Sequence, residues 1–151
     1  CQPVSDDLVV GAPALAAVPG RVRAAQRLFD RTGGLHAAAL VGAGGELCCV
    51  REDIGRHNAV DKAVGWAATQ GRLPLSGTIL FVSGRCSFEI VQKAAVARVP
   101  LVAAVSAASS LAVTLAEELG ITLVGFLRGE GMNVYCHPGR VTAGAAADGS
   151  G

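Results

Sequence analysis

Apolar positions along this chain follow two alternating patterns, one typical of helices and the other of buried strands. Helical spacing occurs in GRVRAAQRLFDRTGG, GRHNAVDKAVGWAATQG, SFEIVQKAAVARV and SSLAVTLAEELG. Short apolar runs predict strands in LHAAALV, ELCCVRED, GTILFVSGR, PLVAAVSA, ITLVGFLR and MNVYC. The predicted order is therefore a helix, two strands, and then helices and strands in repetition.

Residues at the ends of these patterns predict where the elements begin and end. Ser87 is a predicted N-cap, and either Ser109 or Ser110 caps the next helix, which Gly120 closes. The second helix ends at Gly71 or at Pro74, and GAGG joins the first two strands as a hairpin.

This order of elements predicts an α/β domain with three layers, α/β/α. Strands that are joined through helices are normally parallel with right-handed crossovers, whereas the first two strands form an antiparallel hairpin. The sheet is therefore expected to be mixed and to begin with that hairpin. We expect residues 1–20 to be a connector, residues 21–140 to be the domain, and residues 141–151 to be a disordered tail.

Composition and charge exclude several classes of protein. The net charge is only +1, so nothing global indicates binding to nucleic acid, and the apolar runs are too short and too interrupted to span a bilayer. The 5 cysteines include no Cys-x-x-Cys, which is unlike a disulfide scaffold. Cys48 and Cys49 are expected to be small buried residues in a reducing compartment. Because the chain opens on Cys1 rather than on methionine, we expect upstream sequence to be missing.

Polar chemistry is concentrated in four turns that follow predicted strands: REDIGRHN, SGRCSFE, SAASS and FLRGEGMN. In open α/β sheets, ligands bind at the carboxyl ends of the strands, beside helix N-termini. Arg56, Arg85 and Arg128 can each place a guanidinium on a phosphate or carboxylate, and the helix starts offer free N–H groups. The four turns therefore predict one site for an anionic ligand that also forms hydrogen bonds.

Several of these polar residues also have simpler interpretations. His57 and Asp61 are spaced as i,i+4 neighbours that could bind each other, and Glu89 and Lys93 are spaced likewise. His36 is predicted either as a core histidine or as an edge of the site. These alternatives remain open at the level of sequence.

Three known chemistries can be tested against the sequence. The P-loop and the GxGxxG dinucleotide motif are both absent. A zinc deaminase needs H-x-E and P-C-x-x-C. In this chain Ala59 occupies the position where the motif has glutamate, two residues after His57. The turn SGRCSFE offers only Cys86 as a thiol ligand, so no catalytic zinc is expected. The order of elements nevertheless matches the deaminase fold.

The combined pattern REDIGRHNAVDKAVG, SGRCSFEIVQKAAVARVP and GFLRGEGMNVYCHPGR resembles the FdhD family, over residues 21–140. These are sulfur carrier (sulfurtransferase) accessory proteins of formate dehydrogenase. The resemblance implies a cytidine deaminase-like fold and a cytoplasmic homodimer. It implies sulfur transfer from a cysteine desulfurase, through a persulfide on a Cys-x-x-Cys loop, to the molybdenum or tungsten cofactor. That cofactor, a bis(molybdopterin guanine dinucleotide), is then inserted into formate dehydrogenase.

The same resemblance implies where the cofactor binds, and it leaves two classes of function open. The site would contain the turn Phe126, Leu127, Arg128, Gly129, Glu130 and Gly131, together with Arg56, His57, Asn58 and Arg85. The family's Cys-x-x-Cys lies upstream of this domain, so Cys1 is either a remnant of that loop or unrelated to it. The chain is thus expected to be a sulfurtransferase or a non-catalytic module that binds the guanine dinucleotide, with a hydrolytic deaminase as a distant third. No zinc, nucleic acid or membrane partner is expected.

Overall fold

A computed structural model of the chain describes residues 2–29, 36–128 and 131–143, and for residues 27–29 it describes the backbone only. The helices are α1 Ala12–Ala16, α2 Val18–Phe29, α3 Arg56–Thr69, α4 Phe88–Val96 and α5 Ser110–Leu119, with a 3-10 turn at Pro138–Arg140. The strands are β1 Val10–Gly11, β2 His36–Val41, β3 Leu47–Asp53, β4 Ile79–Val82, β5 Leu101–Ala104, β6 Thr122–Arg128, β7 Gly131–Cys136 and β8 Val141–Thr142.

A six-stranded mixed sheet in the order β3-β2-β4-β5-β6-β7 forms the centre of the fold. Strands β4, β5 and β6 are parallel, as expected for strands connected through helices. The β2–β3 hairpin is antiparallel, and so are the β2–β4 and β6–β7 pairs. The prediction of a mixed sheet beginning with an antiparallel hairpin is confirmed. The short strands β1 and β8 pair in a separate parallel sheet.

Both faces of the large sheet are covered by helices. On one face, α3, α4 and α5 pack against the sheet through buried residues that include Val60, Ile90 and Ala116. On the other face, α1 and α2 contribute Leu15 and Val18 to a second buried cluster. Strand residues alternate between the two clusters because successive side chains of a strand point to opposite faces. The closer likeness to the cytidine deaminase fold stays a prediction.

The first twenty residues differ from their predicted role as a connector. They contain β1, α1 and the start of α2, and Leu15 is 0% exposed. The backbone N–H of Val4 donates to the Leu119 carbonyl at 2.6 Å, and the Arg98 guanidinium donates to the carbonyls of Gln2 and Pro3 at 2.7 and 2.8 Å. This segment is therefore packed onto the domain. Residues 144–151 of the predicted tail lie outside the described residues.

The predicted helix ends agree well with the structure. The Ser87 hydroxyl accepts from the Ile90 N–H, and the Ser109 hydroxyl accepts from the Ala112 N–H. Gly120 closes α5 in the left-handed region, with φ 73°, where a Cβ would also lie 2.6 Å from the Val4 carbonyl oxygen. None of the helices in the described part of the chain is long and apolar enough to cross a membrane.

Candidate functional site

The polar turns converge on one edge of the large sheet. In the β2–β3 hairpin His36 lies opposite Asp53, and the next strands align Ala38 with Val82 and Val82 with Ala104. The carboxyl ends of β3, β4 and β5 therefore lie at the same edge as the start of β2. Strand β6 runs parallel to β5 and ends at that edge too. The expected convergence is confirmed.

Asp53 organises the turn between β3 and α3. Its Oδ1 accepts from the backbone N–H of Gly55 at 3.0 Å and from the Asn58 amide at 3.4 Å, and its Oδ2 lies 2.9 Å from the Lys62 ammonium. The Gly55 hydrogen bond and then the Lys62 interaction lower the pKa of Asp53 from 3.8 to about 2. The carboxylate is thus ionised whenever the turn is formed at neutral pH.

Replacing Lys62 by methionine should raise the Asp53 pKa only part of the way to its ordinary value, because the dominant Gly55 hydrogen bond remains. A pKa lowered by folding stabilises the protein above the unfolded-state value of about 3.9, and this contribution is lost as the pH falls through about 2. Carboxyl-carbon NMR titration measures both values. Lys93→Met is the control, since Lys93 pairs with Asp61. An unchanged Asp53 pKa in Lys62→Met would contradict the assignment.

A cavity of about 370 Å³ lies where α3 begins. Its Arg56 is partly buried, and the Arg56 Nε is a buried atom with no hydrogen-bond partner among the described residues. The free N–H groups at the start of a helix and a guanidinium both attract anions. His36 lines this cavity, so the structure places it at the edge of the site. The lining residues are His36, Ile54, Gly55, Arg56, His57 and Asn58.

Contacts between α3 and α4 replace the ion pairs that were expected within each helix. The His57 Nε2 lies 2.9 Å from the Ser87 hydroxyl and 3.9 Å from a Glu89 carboxylate oxygen. The Lys93 ammonium donates to the Asp61 carboxylate at 2.7 Å. Within the described residues, the His57–Asp61 and Glu89–Lys93 pairs that i,i+4 spacing allowed are therefore not formed. Both helices lie on the same face of the sheet, where their side chains meet each other instead.

A larger groove adjoins this site between α3 and α4. Its volume is about 590 Å³, and its apolar wall includes Val64, Leu73 and Val96. The polar side contains His57 and the Asp61–Lys93 pair. His57 lines both cavities, so its ring forms part of the boundary between the candidate site and this groove.

The end of β6 has an unusual backbone. Phe126 has φ 52°, a conformation that bulky residues rarely adopt, and its N–H donates to the Ser106 carbonyl at 3.0 Å. The Arg128 guanidinium lies 5.5 Å from the centre of the Phe126 ring. Leu127 is fully buried in the core, so it can offer a ligand its backbone only. Gly129 and Glu130 lie outside the described residues, and Gly131 begins β7.

The predicted site residues fall into separate groups along the edge. Arg56, His57 and Asn58 line one cavity beside the end of β3, whereas Phe126–Arg128 forms the end of β6, four positions from β3 in the sheet. At about 4.8 Å per strand this is about 19 Å. Arg85 is exposed in the turn after β4, between these two groups. Sequence reasoning missed the role of Asp53, although Asp-x-Gly is a common turn signal that could have indicated it.

Cys86 is not an available nucleophile. It is 1% exposed, and burial raises the pKa of its thiol to about 12 despite the nearby Arg56 charge. Cys48 is only half-buried. We therefore expect a thiol reagent at pH 8 to modify Cys48 in the folded protein and to leave Cys86 unmodified. Peptide mass spectrometry after timed labelling measures this, with the urea-unfolded chain as control. Early labelling of Cys86 would contradict the prediction.

Comparisons with known proteins come from sequence and from structure. A sequence model of the FdhD/NarQ family matches residues 1–142. The chain is 58% identical over 140 residues to "Sulfur carrier protein FdhD" of Mycolicibacterium paratuberculosis, covering 93% of this chain and 52% of that protein. A Streptomyces avermitilis protein of the same name is 65% identical over 133 residues, covering 88% and 47%. The chain thus spans about half the length of these curated relatives.

A solved structure shows the same fold. The crystal structure of a protein from Desulfotalea psychrophila, described as a formate dehydrogenase accessory protein, aligns with a TM-score of 0.82 and 30% identity. The alignment covers 93% of this chain and 62% of that one. The structural comparison and the sequence comparisons therefore indicate relatives of the same kind.

Proposed function

The chain belongs to the FdhD/NarQ family, and from that premise we propose that it supplies the cofactor-binding part of a sulfur carrier protein required for formate dehydrogenase activity. In this proposal, sulfur from a cysteine desulfurase reaches a substrate, the molybdenum cofactor bis(molybdopterin guanine dinucleotide), before the cofactor is inserted into formate dehydrogenase. The name shared by the relatives, "Sulfur carrier protein FdhD", supports the carrier role.

The binding part of this proposal rests on the buried Nε of Arg56, which has no hydrogen-bond partner among the described residues. A buried polar group without a partner costs free energy, and a charged one costs more. Arg56 lines the cavity at the start of α3, where the helix also offers unpaired N–H groups. A diphosphate oxygen in the cavity would pair with the Arg56 guanidinium and with these N–H groups. The diphosphates of a guanine dinucleotide are ligands of this kind.

The end of β6 suits the base of such a substrate. The Phe126 ring and the Arg128 guanidinium together present an aromatic and cationic surface at the same edge of the sheet. Purine bases stack on aromatic rings and on guanidinium planes. The distance of about 19 Å between the end of β6 and the α3 cavity favours an extended ligand over a single phosphate.

The thiols favour a second candidate for this chain by itself, a non-catalytic module that binds the guanine dinucleotide cofactor. The sequence contains no Cys-x-x-Cys. Burial raises the pKa of Cys49, Cys86 and Cys136, which keeps these thiols protonated and weakly nucleophilic at neutral pH. In the sulfur carrier proposal the persulfide therefore forms on thiols other than these three.

Calorimetric titration of the 151-residue chain with GDP, ADP and inorganic phosphate tests the binding proposal. We expect GDP to bind more tightly than ADP, and phosphate to bind most weakly. Incubation with a cysteine desulfurase and L-cysteine, followed by mass spectrometry, tests sulfur loading. No added sulfur on Cys49, Cys86 or Cys136 is expected. A folded chain that binds none of the three titrants would contradict the proposed site, whatever the sulfur result.

The assembly and location of the protein complete the proposal. By the family resemblance, we propose a homodimer in the cytoplasm that contacts both the desulfurase and formate dehydrogenase. Sedimentation equilibrium of the 151-residue chain measures the assembly, and a monomer at all concentrations would contradict a dimer formed by this part of the protein alone.

A further inference from the structure

A cluster of three potential metal ligands lies at the edge of the sheet opposite the candidate site. Cys136 is the last residue of β7 and pairs with Leu123, near the start of β6. His137 follows it, and Glu117 projects from the C-terminal half of α5. One ligand atom from each of the three residues lies within 4.8 Å of the others. We propose that Glu117, Cys136 and His137 bind a zinc ion.

The hydrogen bonding of His137 gives its ring the state that a zinc ligand needs. Its Nε2 lies 2.9 Å from the backbone carbonyl oxygen of Glu117. A carbonyl can only accept, so Nε2 carries a proton, and a neutral ring with this tautomer has its lone pair on Nδ1. Histidines that bind metals almost always donate their other ring N–H to a carbonyl or carboxylate in this way. The chain therefore supplies this partner itself.

The backbone that carries these ligands is held in place by other contacts. His137 has φ 49° and ψ 57°, a left-handed conformation that is uncommon outside glycine and is maintained only where its surroundings impose it. The Thr122 hydroxyl donates to the His137 carbonyl at 2.7 Å. The Arg140 guanidinium donates to Thr122 Oγ1 at 3.3 Å and to the Gly120 carbonyl at 2.6 Å. The backbone at His137 is thus held in place before any ion binds.

The chemistry of the three donors selects zinc over magnesium or calcium. Thiolate, imidazole and carboxylate are its usual ligands, and three of them leave a fourth position for water. The Cys136 thiol now donates to the Ile121 carbonyl at 3.3 Å. On binding, its proton would pass to solvent as the Zn–S bond forms. Glu117 is exposed, so its carboxylate can rotate to close the site. The ion would join α5 to β7.

This zinc site is independent of the proposed cofactor site. It lies at the opposite edge of the sheet from His57 and Cys86, which occupy the positions that hold the catalytic zinc in a deaminase. Loss of zinc binding would therefore not alter the GDP result, and loss of GDP binding would not alter the zinc result.

Metal titrations of the chelator-treated 151-residue chain test the proposal. The measurements use a Cys1→Ser background, because an N-terminal cysteine can bind metals by itself. We expect one zinc per chain by calorimetry, a thiolate-to-cobalt charge-transfer band with Co²⁺, and a melting temperature raised by about 5 °C at saturating zinc. Cys136→Ser should abolish the band, and His137→Gln should weaken zinc binding at least about tenfold.

Matched variants separate this site from the other thiols. Cys48→Ser and Cys86→Ser should bind zinc as the parent does. If Cys136→Ser fails to fold, His137→Gln and Glu117→Gln give the same test from more exposed positions, and both should weaken binding. Absence of zinc binding by the parent, a cobalt band that survives Cys136→Ser, or unchanged affinity in His137→Gln would each overturn the proposal.

Discussion

Leu15→Ala should lower the free energy of unfolding by about 2–5 kcal/mol. Leu15 lies in α1 and is 0% exposed, in the cluster that also contains Phe81 and Leu127. Alanine would leave a cavity between α1 and the sheet, because the strands below are held by their own hydrogen bonds and cannot move into the space. Urea unfolding followed by circular dichroism measures the loss.

Val9→Ala is the matched control, because Val9 is close to Leu15 in the sequence but is 53% exposed. Its effect should stay within about 0.5 kcal/mol. A loss of less than 1 kcal/mol in Leu15→Ala would mean that the first helix adds little to the core. The segment would then behave as the connector that the sequence suggested.

The error about this segment has a physical cause. A helix of five residues provides little more than one turn of periodicity, and here Pro13 and Pro19 interrupt the pattern further. It is buried in a cluster that includes residues of β2 and β4, which are distant in the sequence. Longer elements were predicted because their own spacing identifies them: α3, α4 and α5 each bury a stripe that can be counted in the sequence.

In the candidate site too, features set by local sequence were predicted, whereas contacts between elements distant in the sequence were not. The convergence of the turns follows from the rule for parallel strands and needs no side-chain detail. The i,i+4 spacing says which residues can meet on one helix, but not whether a neighbouring helix supplies a better partner. Lys93 reaches Asp61 on α3, and His57 reaches Ser87 and Glu89 at the start of α4. Only the packing of the two helices determines these contacts.

Arg56→Ala should weaken GDP binding by about 10- to 100-fold. This follows from a loss of about 1.5–3 kcal/mol, the usual contribution of a hydrogen bond to a charged group. The Arg56 Nε has no partner among the described residues, so removing the side chain breaks no existing Nε hydrogen bond. Calorimetric titration with GDP measures the change. Arg56→Lys should give an intermediate affinity, because it keeps the charge but loses the planar set of donors.

Arg72→Ala is the matched control for charge. The Arg72 guanidinium stacks 4.9 Å from the Trp66 ring. Arg72 also lines a small cavity with Ser76 and Thr78 near the start of β4, which is at the edge of the sheet opposite the candidate site. Arg72→Ala removes the same unit of positive charge without touching the α3 cavity, so GDP affinity should stay within about twofold, since salt screens charges at such distances. Equal losses in the two variants would show that GDP responds to net charge. A loss in Arg56→Ala alone would locate the diphosphate at the start of α3.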